Sequence, residues 1–186
     1  MKNITSKTKL TLLLIFWAII FFIVGIGVST RANANNIAFQ YGVLYPQYVR
    51  NANCEIEKIL VEKSQKKMHL IDCNGNVVKS YNVVTGKNNG AKQCDGDKKT
   101  PEGTYHIVEK RDSKYHRFLA LDYPQAKDLK KAKEKGCYVG DSIGIHSWVK
   151  GLPLDGSLGC IRVMTKDEIM EIDKMVKVGT EVEILP

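Results

Sequence analysis

The stretch MHLIDCNGNVVKSYNVV, Met68 to Val84, decides the fold class. Two apolar-polar runs, Met68-His69-Leu70-Ile71 and Val77 to Val84, flank Asn74-Gly75. Residues two apart on a strand share a face, so such alternation makes a half-buried strand. Asn-Gly between two such runs signals a tight hairpin in which both turn residues take positive φ. Upstream, Ile59-Leu60-Val61 adds a third run, and the domain opens as a β-meander. Downstream, residues 86 to 100 are rich in Gly, Asn, Asp and Lys and lead into Thr100-Pro101-Glu102-Gly103, a surface loop closed by a turn. Thr104 to Val108 returns as a strand, Ile143 to His146 and Ile161 to Val163 are short strand-like runs, and Val182 to Leu185 is the last. One helix follows Tyr123-Pro124, with the proline in its first turn, and stops at Gly136. A second opens with the capping box Thr165 to Glu168 and carries Ile169, Ile172, Met175 and Val176 on one face. These elements make a mainly β (α+β) domain with two or more helices, a barrel or sandwich-like fold without internal repeats.

The stretch from Leu10 to Val28 carries no charge and as a helix would span roughly 28 Å, close to a bilayer core. Lys2, Lys7 and Lys9 precede it, which keeps the N-terminus cytoplasmic and sends the rest of the chain outward. Ala32-Asn33-Ala34 fits a signal-peptidase site, so residues 1–34 read as either a cleaved signal peptide or a retained membrane anchor. Residues 35–55 form a connecting arm, and residues 56–186 the folded domain. An exported protein acts in the periplasm or cell envelope.

Without the N-terminal Lys2, Lys7, Lys9 and Arg31, the formal charge of +8 becomes 24 basic against 20 acidic residues. That balance gives no nucleic-acid signature, and a mildly basic surface suits an anionic wall polymer. The chain has five cysteines, an odd number for an exported protein. Cys160 reads as the free thiol. Cys54, Cys73, Cys94 and Cys137 remain for two disulfides in any of three pairings, or for none. No CxxC is present, so neither a zinc knuckle nor a thioredoxin-type centre is expected, and His69, His106 and His116 lack ligand spacing. No metal or organic cofactor is anticipated.

The chemistry concentrates in GIHSWVKGLPLDGSLGCIRV, residues 144–163, where His146 and Cys160 stand beside glycines at short β-runs. A thiol at neutral pH is only a few per cent ionised, so a nucleophilic cysteine needs a base, which later protonates the leaving amine. Gly159 removes side-chain bulk where a substrate carbonyl must approach, and backbone N–H groups beside it suit an oxyanion. Trp148 either walls a substrate cleft or simply packs.

Ser157-Leu158-Gly159-Cys160-Ile161-Arg162, preceded by Ile145-His146, resembles the signature of the YkuD-like L,D-transpeptidase catalytic domain. The likeness extends upstream through Tyr81 to Gly86 and the turn Gly96-Asp97-Lys98-Lys99-Thr100-Pro101-Glu102-Gly103, and covers roughly residues 56 to 186. Tyr115 to Leu119 and Asp122-Tyr123-Pro124 further resemble the branch acting near the lipoprotein-peptidoglycan linkage. The resemblance implies a YkuD-like sandwich or barrel in which Cys160 attacks the L-centre carbonyl of diaminopimelate in a peptidoglycan stem peptide and forms a thioester. His146 is then the base, Ser157 orients it, the Gly159 and Cys160 N–H groups hold the oxyanion, and Arg162 holds a substrate carboxylate or braces the loop. Leu158 stands where many members have histidine, Ser147 stands where glycine is common, and the interval from His146 to Ser157 is short for the family. Acceptor choice therefore does not transfer. An amine gives a transpeptidase, water gives a carboxypeptidase or an amidase detaching a wall-anchored protein, and a thiol without chemistry leaves a wall-binding module. A second cysteine within reach of Cys160 would instead indicate a thiol redox protein.

Overall fold

The structure, a computed structural model, describes residues 54–186. The apolar run from Leu10 to Val28, the Ala32-Asn33-Ala34 site and nearly all of the arm lie outside the described residues. Among the described residues no helix is long and apolar enough to cross a membrane.

Eight strands close into a barrel: β1 (Ile56–Glu62), β2 (Lys67–Asp72), β3 (Val77–Val84), β4 (Gly103–Ser113), β5 (His116–Leu121), β6 (Gly144–Ser147), β7 (Ile161–Val163) and β8 (Glu181–Leu185). Their order around the wall is β1-β2-β3-β7-β6-β5-β4-β8. All neighbours are antiparallel except β6 with β7 and β8 with β1. Helix α1 (Ala126–Glu134) follows β5, and α2 (Lys166–Met175) packs on β5 and β6. The expected mainly β domain with two helices is thus a closed barrel rather than an open sandwich.

The inner face follows the alternation in the sequence. Ile59 and Val61 on β1, Met68 and Leu70 on β2, and Val182 and Ile184 on β8 point into one core, all at most 1% exposed. Each such side chain contributes about 1.5–3 kcal/mol by leaving water. The Asn74-Gly75 turn forms, but only Gly75 has positive φ, at 78°. Asp72 and Asn76 pair across a three-residue loop, and the Asp72 carboxylate accepts the Asn74 and Asn76 N–H groups at 2.9 and 2.8 Å. With that carboxylate holding the loop, one left-handed glycine closes it and the expected two-residue turn is not needed.

At α2 the predicted capping box is in place: Glu168 N–H donates to Thr165 Oγ1, and Thr165 N–H donates back to Glu168 Oε2 at 2.8 Å. Ile169 and Ile172 are fully buried beneath it. At α1 the N-cap is Gln125, so Pro124 lies ahead of the helix instead of in its first turn. This helix buries Asp128, whose carboxylate accepts the Tyr105 hydroxyl at 3.0 Å, while Leu129 faces water. Strand β5, which the sequence reading had not marked, is the neighbour that carries β6.

Candidate active site

Cys160 lies at the start of β7, immediately before Ile161, which pairs with Ile145 on β6; His146 pairs with Arg162 one step along. A short parallel pair therefore carries the thiol and the imidazole into one cavity of about 720 Å³, whose lining includes Cys160, His146, Ser157 and Arg162. The cysteines resolve as Cys54–Cys73 and Cys94–Cys137, leaving Cys160 as the free cysteine among the described residues.

The Cys160 loop is held from three directions. Thr100, fully buried, accepts the Gly86 N–H at 2.7 Å and donates to the Gly159 carbonyl at 2.8 Å, which ties the end of β3 and the Gly-Asp turn to the nucleophile. Ahead of it the Asp97 carboxylate accepts the N–H groups of Gln93, Cys94 and Lys99 and the Lys92 ammonium, and these bonds hold its pKa below the usual carboxylate range despite burial. Gly159 adopts φ +145°, and a Cβ there would meet Ile143 Cδ1 at 2.8 Å and the Lys99 carbonyl at 2.9 Å, so glycine is required on both counts. Cys94–Cys137 links the loop of residues 86–100 to the segment that carries Ser142, whose carbonyl accepts the Cys160 thiol at 3.4 Å.

His146 is 4% exposed. Its Nδ1 lies 2.8 Å from the Ser147 carbonyl, which can only accept, so Nδ1 carries the proton and Nε2 keeps its lone pair. Tyr115 stacks on the imidazole at 4.3 Å between centroids, with Phe118 at 5.9 Å. Burial pushes the His146 pKa down to about 4, with Arg162 adding to the fall and the Ser147 carbonyl opposing it. Burial also raises the Cys160 thiol above its ordinary value, against smaller lowering effects of the Gly144 backbone, Arg162 and Lys92. At rest the cavity therefore holds a thiol and a neutral imidazole.

Several expected roles take a different form. The Ser157 hydroxyl makes no bond to His146. It donates to the Cys160 carbonyl at 2.6 Å and accepts the Gly159 N–H at 3.0 Å, bracing its own turn, and the Ser147 carbonyl orients the imidazole instead. Because the Gly159 N–H is used in that brace, it is not free for an oxyanion; the Cys160 N–H has no acceptor among the described residues. Trp148 does not line the cavity, since its Nε1–H donates to the Leu152 carbonyl at 2.8 Å and closes its own loop. Arg162, 2% exposed, braces the loop through the Gly156 carbonyl, while its Nε has no partner.

Sequence reasoning did not place Tyr115 and Phe118 at the site. Position in the chain alone hides them, because β5 brings them beside β6 only through the pairing of Phe118 with His146. Nor did it find the link from His116 Nδ1 to Ser147 Oγ at 2.7 Å. The Ser147 hydroxyl donates to the Tyr115 carbonyl at 2.9 Å, so His116 is the donor in that link. His69 and His106 face carboxylates of Glu62 and Asp122, and among the described residues no group of His, Cys, Asp and Glu could hold a metal ion.

The family model described as the YkuD L,D-transpeptidase catalytic domain matches residues 57–184. No curated protein matches the chain. Among solved structures, Bdellovibrio bacteriovorus Bd1075 is 26% identical with a TM-score of 0.55, the match covering 73% of this chain and 50% of that one. The helical cell shape determining protein Pgp2 from Campylobacter jejuni is 24% identical with a TM-score of 0.57, covering 71% of this chain and 48% of that one. The second likeness bears on the fold alone, and the chain spans about half the length of each of these structures. With the family model running from β1 to β8 and through both Cys160 and His146, the chain belongs to the YkuD family of L,D-transpeptidase catalytic domains.

Proposed function

We propose that this protein is a peptidoglycan L,D-transpeptidase, exported to the periplasm or cell envelope, that acts on tetrapeptide stems. The observation that carries this reading is the fixed tautomer of a buried imidazole, its Nε2 lone pair free, in the same cavity as the unpaired thiol. Family membership supports the reaction class.

With thiol and imidazole both neutral at rest, the proton leaves as the bond forms. Cys160 Sγ attacks the carbonyl carbon at the L-centre of diaminopimelate while His146 Nε2 takes the thiol proton. The oxyanion meets the free Cys160 N–H, and the Nδ1–H bond to Ser147 stabilises the imidazolium. Collapse breaks the peptide bond, and the departing D-alanine amine takes the proton back from Nε2, leaving a thioester. An amine acceptor then gives up a proton to His146, attacks the thioester and releases the thiol. The acceptor is a second stem or a wall-anchored protein. The N-terminal segment, where retained, holds the domain to the membrane.

Incubation of the protein and its Cys160→Ala variant with purified disaccharide-tetrapeptide, followed by mass spectrometry, tests this reading. Cross-linked dimers that require Cys160 are the expected result. Cys160-dependent tripeptide alone would replace transfer with hydrolysis by the same thioester, and unchanged tetrapeptide would leave the wall-binding module.

A further inference from the structure

His116, the first residue of β5, is bonded into the site although it does not line the cavity. Its backbone takes φ +68°, a left-handed conformation that a residue with a side chain keeps only where its surroundings hold it. The contact that holds it is the bond from Nδ1 to Ser147 Oγ at 2.7 Å. Ser147 is fully buried, and its one hydroxyl proton goes to the Tyr115 carbonyl at 2.9 Å. Toward His116 the hydroxyl is therefore an acceptor, and His116 Nδ1 carries a proton.

Both groups fixed by these bonds act on His146. The Ser147 carbonyl accepts the His146 Nδ1–H at 2.8 Å, and the Tyr115 ring lies against the imidazole with centroids 4.3 Å apart. Ser147 ends β6 while Tyr115 precedes β5, so the two reach His146 from different strands. The His116 bond closes them into one ring: His116 to the Ser147 hydroxyl, the hydroxyl to the Tyr115 carbonyl, and Tyr115 back to His116 through their shared peptide bond. Among the described residues the Ser147 hydroxyl has no other partner, so without the His116 donor one side of the ring is open.

Resting on the transpeptidase reading, we infer that His116 is a positioning residue for the base: its Nδ1–H fixes Ser147 and Tyr115 against His146 and keeps the imidazole in the orientation that leaves Nε2 open. Once His146 has taken the thiol proton, its Nδ1–H bond to Ser147 becomes charge-assisted and roughly twice as strong as in the neutral ring. The placement of that carbonyl therefore counts more in the chemical step than in substrate binding.

The test uses the full chain with His116→Gly, which keeps the left-handed backbone without a donor, and His116→Asn, which tolerates the same backbone and offers an amide N–H in place of Nδ1–H. Conversion of disaccharide-tetrapeptide gives kcat and KM, and NMR of the nitrogen-labelled protein follows exchange of the His146 Nδ1 proton with water. His116→Gly is expected to lower kcat about five- to tenfold with KM within about twofold of wild type, and to speed exchange of that proton; His116→Asn should restore both. His116→Asp, with the shape of asparagine but only acceptors, repeats the comparison where the glycine variant does not fold. Wild-type kcat and exchange in the variants without a donor would overturn the proposal. Equal impairment of the asparagine and glycine variants would also overturn it, because the contact would then serve packing of the hairpin and not the donated bond. Should wild type make no product, the transpeptidase reading falls, and proton exchange across the same variants still upholds or overturns the role of His116.

Discussion

The wall formed by β1 and β8 and the wall formed by β6 and β7 follow different rules. On β1 and β8, buried and accessible residues alternate, and the buried ones are Ile56, Ile59, Val61, Val182 and Ile184. On β6 and β7 every residue is buried, and His146, Ser147 and Arg162 are among them. Alternation survives where one face meets core and the other meets water. It ends where α2 and the loops cover the second face, and the polar groups placed there lose hydration. One wall therefore supplies stability and the other gives some up to hold a site, and substitutions in the two should separate along that line.

The sharpest break is expected from Ile59→Ala. It should lower unfolding stability by about 2–5 kcal/mol, as for a large-to-small change in a packed core, while the turnover per folded molecule stays as in wild type. Chemical denaturation with activity measured on the folded fraction checks both halves. An equal loss of turnover per folded molecule would show that the walls are not separable.

The second effect is one of pH. In the folded protein His146 titrates at about 4, below the ordinary 6.5. The unfolded chain therefore binds more protons between those values. Stability is fully present above about 6.5, declines as pH falls through that window and levels off below about 4, for a loss on the order of 3 kcal/mol at most. His146→Gln should flatten the window in thermal melts across it, and an unchanged slope would assign the loss to other groups.

Arg162→Met carries the opposite sign. Removing a buried charge that no carboxylate bonds directly should leave stability unchanged or raise it by about 1 kcal/mol, while turnover falls as the Cys160 loop loses its brace. Destabilisation beyond about 2 kcal/mol would mean that the brace to Gly156 outweighs desolvation. The smallest effect belongs to Ser147→Ala, which keeps the carbonyl that orients His146 but removes the hydroxyl joining His116 and Tyr115. A severalfold fall in kcat with KM unchanged is expected, about 1 kcal/mol for one neutral hydrogen bond. A change in KM alone would move Ser147 from positioning the base to contacting substrate.

The difference between the walls also explains what was legible in the sequence. The alternating strands announce themselves: the meander around Asn74-Gly75 and the capped helix with Ile169 and Ile172 were readable from spacing, because each residue's face is set by its near neighbours. The pairing of β6 with β7 was readable only through the short motif around Cys160, and β5 not at all, since its role depends on Phe118 meeting His146 far along the chain. The role given to Ser157 changed, and the choice left open at Trp148 fell to packing, for the same reason. A side chain's nearest acceptor in a tight loop is often the loop's own backbone, which a motif does not reveal.

The Cys54–Cys73 bridge fixes where the chain enters. It fastens the start of the described chain to the loop joining β2 and β3, while at the far end of β3 Gly86 bridges to Ser157, beside the nucleophile. From Asn76 to Gly86 an extended strand covers roughly 30 Å. The disulfide at one end of β3 and the nucleophile's loop at the other are thus held by a single strand, so a pull on Cys54 reaches the site along one strand of the wall.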